Sequence, residues 1–139
     1  MASFELHSRL AADTVPIVAL PLCRALLMND ARYPWVILVP AVAGIRELYA
    51  LTPGDQAKLW QEITAVGETM MAHFNGEKLN IGALGNQVPQ LHVHIIVRFA
   101  DDAAWPGPVW GQGPATPYDE VLLSQRVNAL RQRFEALAR

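Results

Sequence analysis

The stretch Gln90–Phe99, QLHVHIIVRF, begins with alternating polar and apolar side chains, which predicts a β-strand. Because side chains alternate between the two faces of a strand, Gln90, His92 and His94 share one face. The opposite face is uniformly apolar and carries Leu91, Val93, Ile95 and Val97. We expect this apolar face to pack on the core beneath a helix, so that the polar trio faces solvent, a cleft or a second layer.

The composition is typical of one globular domain over residues 1–139, since 52% of the residues are hydrophobic and 17% are charged. The formal net charge is -2, whereas a nucleic-acid-binding domain is typically basic. The single cysteine, Cys23, excludes a disulfide framework and a cysteine-rich metal site. The first residues contain no apolar signal region, and no apolar run reaches the roughly 18 residues that span a bilayer. We therefore expect a cytoplasmic protein with neither nucleic acid nor membrane as a partner.

Three short runs rich in Val, Ile and Leu, separated by turn residues, predict an antiparallel meander: residues 15–21, 23–29 and 35–40. Thr52-Pro53 has the pattern of a helix start, and apolar residues then recur at steps of three and four as far as Phe74. Residues 78–84 predict a further strand, and apolar residues from Val127 to Leu137 predict a C-terminal helix. This order predicts an α+β fold with a mainly antiparallel sheet and a long central helix.

The histidine pair has three interpretations that the residues alone leave open. His92 and His94 can lie on a solvated strand face without a function. They can bind Zn²⁺, because two imidazoles on one strand face converge on a metal, although a third ligand must then come from elsewhere. They can also act in phosphoryl chemistry, in which one neutral imidazole attacks phosphorus and its neighbour holds or protonates an oxygen.

Uncharged polar residues near the pair favour the phosphoryl interpretation. Gly85-Asn86-Gln87 is a predicted turn directly before the strand, and Asn80 lies on the preceding strand. Amide side chains of this kind donate hydrogen bonds to phosphate and ribose oxygens. Such a reaction needs no metal or other cofactor, and none is predicted.

At this point the chain resembles the histidine triad (HIT) superfamily, whose signature alternates three histidines with apolar residues. The corresponding segment is Gln90–Ile96, QLHVHII, with glutamine in place of the first histidine. Further similarity lies in Gly85–Val88, in Leu38-Val39-Pro40 at a strand end and in Trp105-Pro106 beyond the motif. The resemblance extends over residues 15–110.

The resemblance implies a sheet of about five antiparallel strands, a homodimer, and a nucleotide hydrolase or nucleotidyl transferase. Its substrate would be a small nucleotide or nucleotide conjugate, as in the phosphoramidase and dinucleoside polyphosphate hydrolase classes. His92 would attack the α-phosphorus and form a nucleotidyl-histidine intermediate, while His94 would bind a phosphate or leaving-group oxygen. Gln90 would support the pair within the catalytic site. Substrate binding is implied for Asp30 at the ribose and for Asn80, Asn86 and Gln87.

Two alternative functions remain. One is a catalytically weak nucleotide-binding module, because Gln90 can form hydrogen bonds but cannot carry a proton. Another is a metal-dependent hydrolase that uses His92 and His94. Pro34-Trp35 also stands where many members of the family have a further histidine.

Three residues after the motif have roles that the sequence leaves less defined. Trp105 and Trp110 belong to a loop of residues 101–118 rich in proline and glycine. They can anchor the loop, stack on a base or contact a partner chain. Arg98, at the end of the predicted strand, is expected on a solvated surface.

Overall fold

The computed structural model of the chain describes residues 3–138. Its strands are β1 (Thr14–Ala19), β2 (Cys23–Met28), β3 (Trp35–Pro40), β4 (Lys78–Gly82) and β5 (Val93–Arg98). Its α-helices are α1 (Ser8–Asp13), α2 (Pro53–Phe74) and α3 (Glu120–Leu137), and Leu48–Ala50 forms one 3₁₀ turn. Within residues 3–138, no helix is both long and apolar enough to cross a membrane.

One antiparallel sheet contains the five strands in the order β1-β2-β3-β5-β4, which confirms the predicted fold class. The first three strands form the predicted meander, because their short connections can join only antiparallel neighbours. β5 lies between β3 and β4 and is therefore paired on both sides. Leu26 of β2 pairs with Ile37 of β3, and Ile37 pairs with His94 of β5. These pairs form one row of side chains across the sheet.

The long helix α2 begins and ends where the sequence predicts. The Thr52 hydroxyl accepts a hydrogen bond from the Asp55 N–H at 3.1 Å, which caps the helix N-terminus, and Pro53 occupies the first turn. Asn75, in the left-handed conformation at φ 53°, ends the helix. A Cβ at Gly67 would lie 2.6 Å from Leu79 Cδ2, so this glycine lets α2 approach the sheet closely.

The sheet separates two apolar layers. In the first layer the apolar face of β5 packs under α2, as predicted, against Leu59, Ile63, Val66 and Met70. The second layer lies on the other face and consists of Leu10, Leu26, Tyr33, Trp35, Ile37, Val39, Val88, Ile96 and Val109. Phe4 and Leu6 of the N-terminal segment pack against this second layer. The polar trio of the motif therefore belongs to a covered face and not to a solvated one.

Several element boundaries differ from the prediction, and β1 and β4 end two residues earlier than predicted, at Ala19 and Gly82. Strand β5 begins at Val93, so His92 precedes it, because β3 pairs only as far as Val93 and β4 only as far as His94. Helix α3 begins at Glu120, well before the first apolar repeat, because the Asp119 carboxylate accepts a hydrogen bond from the Leu122 N–H at 2.8 Å.

The expectation that Arg98 is solvated is wrong, since the residue is 1% exposed. Its Nε and Nη2 donate to the two carboxylate oxygens of Asp102 at 2.8 and 3.0 Å, and Nη1 donates to Asn80 Oδ1 at 2.8 Å. The loop after β5 folds back over the strand end and supplies Asp102 and the Gly107 carbonyl. A buried guanidinium with these partners ties β4, β5 and the loop together.

Replacement of Arg98 by alanine should destabilise the protein by roughly 3–5 kcal/mol, because Asp102 would then be a buried charge without its partner. The side chains of this pair are only 2% and 4% exposed. Urea denaturation followed by circular dichroism measures the change in the free energy of unfolding. The matched control is Arg9→Ala, whose exposed pair with Asp13 spans 3.9 Å and should change stability by less than about 1 kcal/mol. Equal effects of the two substitutions would contradict this account.

Candidate active site

A cavity of about 400 Å³ opens on the second face of the sheet, a volume suited to a small-molecule ligand. The wall includes five of the seven residues predicted to form the site: Asp30, Asn86, Gln87, His92 and His94. Loop residues Gly85 and Trp110 and the α1 residues Arg9, Leu10 and Asp13 complete much of the lining. The fold thus brings together the end of β2, the start of β5 and two loops.

The His92 ring is 6% exposed, and its protonation pattern follows from its partner. Nδ1 lies 2.7 Å from the Gln90 carbonyl oxygen. Because a carbonyl oxygen only accepts hydrogen bonds, Nδ1 must carry the proton in the neutral ring. Nε2 is then the nitrogen with the free lone pair, which is the form that a nucleophilic histidine needs.

The opposite tautomer is fixed at His94, which is 7% exposed. The Trp35 indole Nε1 donates to His94 Nδ1 at 3.0 Å. An indole N–H is only a donor, so Nδ1 is unprotonated and the neutral ring carries its proton on Nε2. Burial, together with the nearby His92, lowers the pKa of His94 to about 4. His94 is therefore a neutral hydrogen-bond donor at physiological pH.

The two imidazoles form one unit, with ring centroids 5.0 Å apart and planes inclined by 71°. One ring offers a nitrogen without a proton and the other an N–H, although the residues are only two apart in the chain. The Trp110 ring lies 5.5 Å from the His94 ring, and its buried Nε1 has no hydrogen-bond partner among residues 3–138. This geometry can attack an electrophilic atom and at the same time bind an oxygen attached to it.

Asp30 lines the cavity as an ion pair with Arg32. Arg32 donates from Nε to Asp30 Oδ1 at 3.0 Å and from Nη2 to Oδ2 at 2.9 Å, and the backbone N–H groups of Arg32 and Thr116 also donate to Oδ1. Burial by itself would raise the pKa of Asp30, but these hydrogen bonds hold the pKa below its usual range. A ligand bound in this part of the cavity would contact the Arg32 guanidinium as well as the Asp30 carboxylate.

The remaining predicted residues have different positions. Asn86 and Gln87 are exposed in the loop at the cavity rim, after Gly85 at φ 75°. Asn80 is engaged with Arg98 at the far end of β5, outside the cavity. The Gln90 side chain bonds to the backbone of Glu5 and His7 in the N-terminal segment.

Sequence reasoning missed Trp35 and Arg32 as residues of the site and left the role of Trp110 open. Trp35 follows the proline that stands in the place of a family histidine, and its position on β3 opposite Ile96 brings it to the histidine face. That strand pairing was the signal that could have identified it. Arg32 and Trp110 lie in connections, where no periodicity predicts the direction of a side chain.

The third ligand required by the metal interpretation has no counterpart among the described residues. Between residues 3 and 138, no group of three or more His, Cys, Asp or Glu side chains is placed to bind a metal ion.

Comparisons with known proteins agree with this fold. The sequence model of the HIT domain family matches residues 9–101. A solved histidine triad protein from Marinobacter aquaeolei VT8 is 52% identical to this chain. The match covers 99% of this chain and 100% of that protein, with a TM-score of 0.96. A second, from Bradyrhizobium japonicum, is 45% identical over 95% of this chain and 98% of its own, with a TM-score of 0.92.

More distant comparisons are informative about the fold alone. The diadenosine triphosphate hydrolase of Plasmodium falciparum is 13% identical, covers 98% of this chain and 86% of its own, and has a TM-score of 0.61. A search of curated proteins found no match.

The depressed pKa of His94 makes stability depend on pH in a defined window. The unfolded chain takes up a proton on this ring near pH 6.5, whereas the folded chain does so only near pH 4. Stability should therefore be full above pH 6.5 and fall progressively as the pH drops to 4. The variant His94→Asn, whose amide oxygen can still accept from Trp35, should lose less stability over this window in urea titrations. An equal loss in both proteins would contradict the assignment.

Proposed function

Since the chain belongs to the HIT domain family of nucleotide hydrolases and transferases, we propose that it cleaves a nucleotide conjugate at the α-phosphate through a nucleotidyl-histidine intermediate on His92. The observation that carries this proposal is the pair of opposite tautomers on adjacent buried rings. A solvated or purely structural pair of histidines has no need for one bare and one protonated nitrogen at a shared cavity wall.

In the first step, His92 Nε2 attacks the α-phosphorus and a phosphorus–nitrogen bond forms. The leaving group departs with the electron pair of its bond to phosphorus and takes up a proton from solvent. The ring becomes positively charged during attack. The Gln90 carbonyl, 2.7 Å from Nδ1, stabilises that charge by accepting the Nδ1 proton in a hydrogen bond. Imidazole is both a nucleophile and a leaving group, which allows two easier displacements to replace one difficult displacement.

His94 acts as a donor to a phosphate or leaving-group oxygen. Its low pKa keeps the ring neutral, so it contributes a fixed N–H dipole and does not compete with His92 for a proton. The Trp110 indole, whose N–H has no partner within residues 3–138, is a further donor in the same wall. Asn86 and Gln87 supply amide donors from the rim.

In the second step, water attacks the nucleotidyl-histidine, His92 departs from phosphorus with its Nε2 lone pair restored, and a nucleoside monophosphate is released. An alcohol or phosphate in place of water would make the reaction a transfer. The resemblance assigns a ribose contact to Asp30. In this chain the Asp30–Arg32 pair makes that contact as a unit, because Arg32 and Thr116 already donate hydrogen bonds to the carboxylate oxygens.

We test this function with an adenosine phosphoramidate, from which the wild-type chain should release adenosine monophosphate. His92→Ala should lower kcat by at least about 10³-fold, because it removes the nucleophile. His73→Ala is the matched control, since His73 lies on α2 away from the cavity and should leave turnover unchanged. Mass spectrometry of the rapidly quenched reaction should find a nucleotidyl adduct on His92.

The alternatives give different results in the same experiment. Equally slow turnover by the wild type and His92→Ala, with nucleotide binding seen by calorimetry, would identify a nucleotide-binding module. About one tightly bound Zn²⁺ per purified chain, required for turnover, would identify a metal-dependent hydrolase.

We also propose that the protein is a cytoplasmic homodimer with a small nucleotide as its ligand. Cys23 is a buried free thiol, which suits a reducing compartment. β4 is an edge strand of the sheet, and exposed apolar side chains lie on it or near it: Leu48, Trp60 and Ile81. A groove of about 260 Å³ runs between Trp60 and Ile81. An apolar patch beside an open sheet edge fits a second copy of the chain.

Charge placed in this patch should separate the dimer. Trp60 is 62% exposed, so Trp60→Glu should leave the folded chain intact and shift sedimentation from a dimer to a monomer. Val121→Glu is the matched control, because Val121 is 68% exposed on α3, outside the patch. A monomeric wild-type protein, or a dimer that persists in Trp60→Glu, would refute this interface.

A further inference from the structure

Gln90 stands in place of the first histidine of the motif, and both ends of its side-chain amide are engaged. Oε1 accepts a hydrogen bond from the His7 N–H at 2.8 Å, and Nε2 donates to the Glu5 carbonyl at 2.8 Å. The amide orientation follows from these partners, since an N–H only donates and a carbonyl only accepts. The side chain therefore bonds to the N-terminal segment as a neighbouring peptide group would.

The peptide group between Gln90 and Leu91 is held at both of its polar atoms. The Leu91 N–H donates to the Ile45 carbonyl at 3.0 Å, and the Gln90 carbonyl accepts from His92 Nδ1 at 2.7 Å. Hydrogen bonds at the two ends of one peptide polarise each other. The carbonyl that selects the His92 tautomer thus belongs to the same residue whose side chain clamps the N-terminal segment.

We propose that Gln90 is a positioning residue that makes the N-terminal segment, residues 4–7, a brace for the nucleophile. It acts on the reaction through the orientation of its own carbonyl, and its side chain touches neither substrate nor His92. This inference rests on the proposed function for its catalytic meaning, whereas the brace itself is a property of the free protein.

The segment is well anchored for this task. Phe4 and Leu6 pack on the second layer, and the Arg24 guanidinium lies 5.5 Å from the centroid of the Phe4 ring. His7 caps α1 by accepting a hydrogen bond from the Arg9 N–H at 3.0 Å. Since α1 contributes Arg9 and Leu10 to the cavity wall, the clamp at Gln90 also fixes this wall relative to His92.

The chemistry of the clamp explains why glutamine suits this position. It requires one donor and one acceptor on the same planar group, to match a peptide N–H and a peptide carbonyl. Glutamate has the same shape but lacks the donor, so it would set a carboxylate oxygen against the Glu5 carbonyl. Alanine removes both bonds and frees the segment.

The test measures the tautomer of His92 directly, by ¹⁵N NMR of labelled protein without substrate at neutral pH. In the wild type, His92 should carry its proton on Nδ1. In Gln90→Ala and in the isosteric Gln90→Glu, a substantial fraction should move to Nε2, because the Leu91 N–H bond to Ile45 alone then orients the carbonyl. Gln56→Ala is the matched control, since Gln56 donates to the Leu51 carbonyl at 2.9 Å far from the cavity. It should keep the wild-type tautomer.

Turnover of the adenosine phosphoramidate gives the second readout. The Gln90 variants should lose roughly tenfold in kcat with KM little changed, because only the geometry of attack is impaired. A wild-type tautomer in both Gln90 variants overturns the inference, whatever the activity of the chain. A wild-type chain that shows the Nδ1 tautomer but no turnover counts against the proposed function alone.

Discussion

Two imidazole rings are buried side by side at the start of β5, and the polar atoms of a buried ring require partners. His92 obtains its partner from the Gln90 carbonyl and His94 from the Trp35 indole. A carbonyl can only accept and an indole can only donate, so the two rings must hold their protons on opposite nitrogens. The chemical asymmetry of the site follows from this constraint.

The charged groups of this face are neutralised in pairs. Asp30 is held by Arg32 and Asp102 by Arg98, in both cases through the Nε and Nη2 atoms of the guanidinium. For each aspartate, burial alone would raise the pKa, but the hydrogen bonds outweigh it, and for Asp102 they lower the pKa to about 2. His94, whose pKa is lowered to about 4, is thus left as a neutral group among paired charges.

The position at the cavity could be predicted from sequence for residues whose direction a strand or turn dictates. His92 and His94 lie at the cavity because the alternation that begins before β5 and continues along it places them opposite the apolar face. Asn86 and Gln87 lie at its rim because their turn leads into this extended segment. Asn80 lies on the same sheet face as His94, but its register partner is Ile96, nearer the far end of β5. At that end the buried Arg98 guanidinium donates a hydrogen bond to the Asn80 side-chain oxygen.

The sequence by itself determined the α+β class, the meander, the limits of α2 and the apolar face of β5, because these depend on periodicity and on capping residues close together in the chain. It also predicted, through their spacing, that His92 and His94 lie next to each other on one face. Only the tertiary structure decided which ring nitrogen carries each proton. For His92 the choice depends on the orientation of the Gln90 carbonyl, two residues away. For His94 it depends on the Trp35 indole, 59 residues away on a different strand. Likewise, Gln90 bonds to a segment more than 80 residues earlier in the chain, a contact that no local pattern encodes.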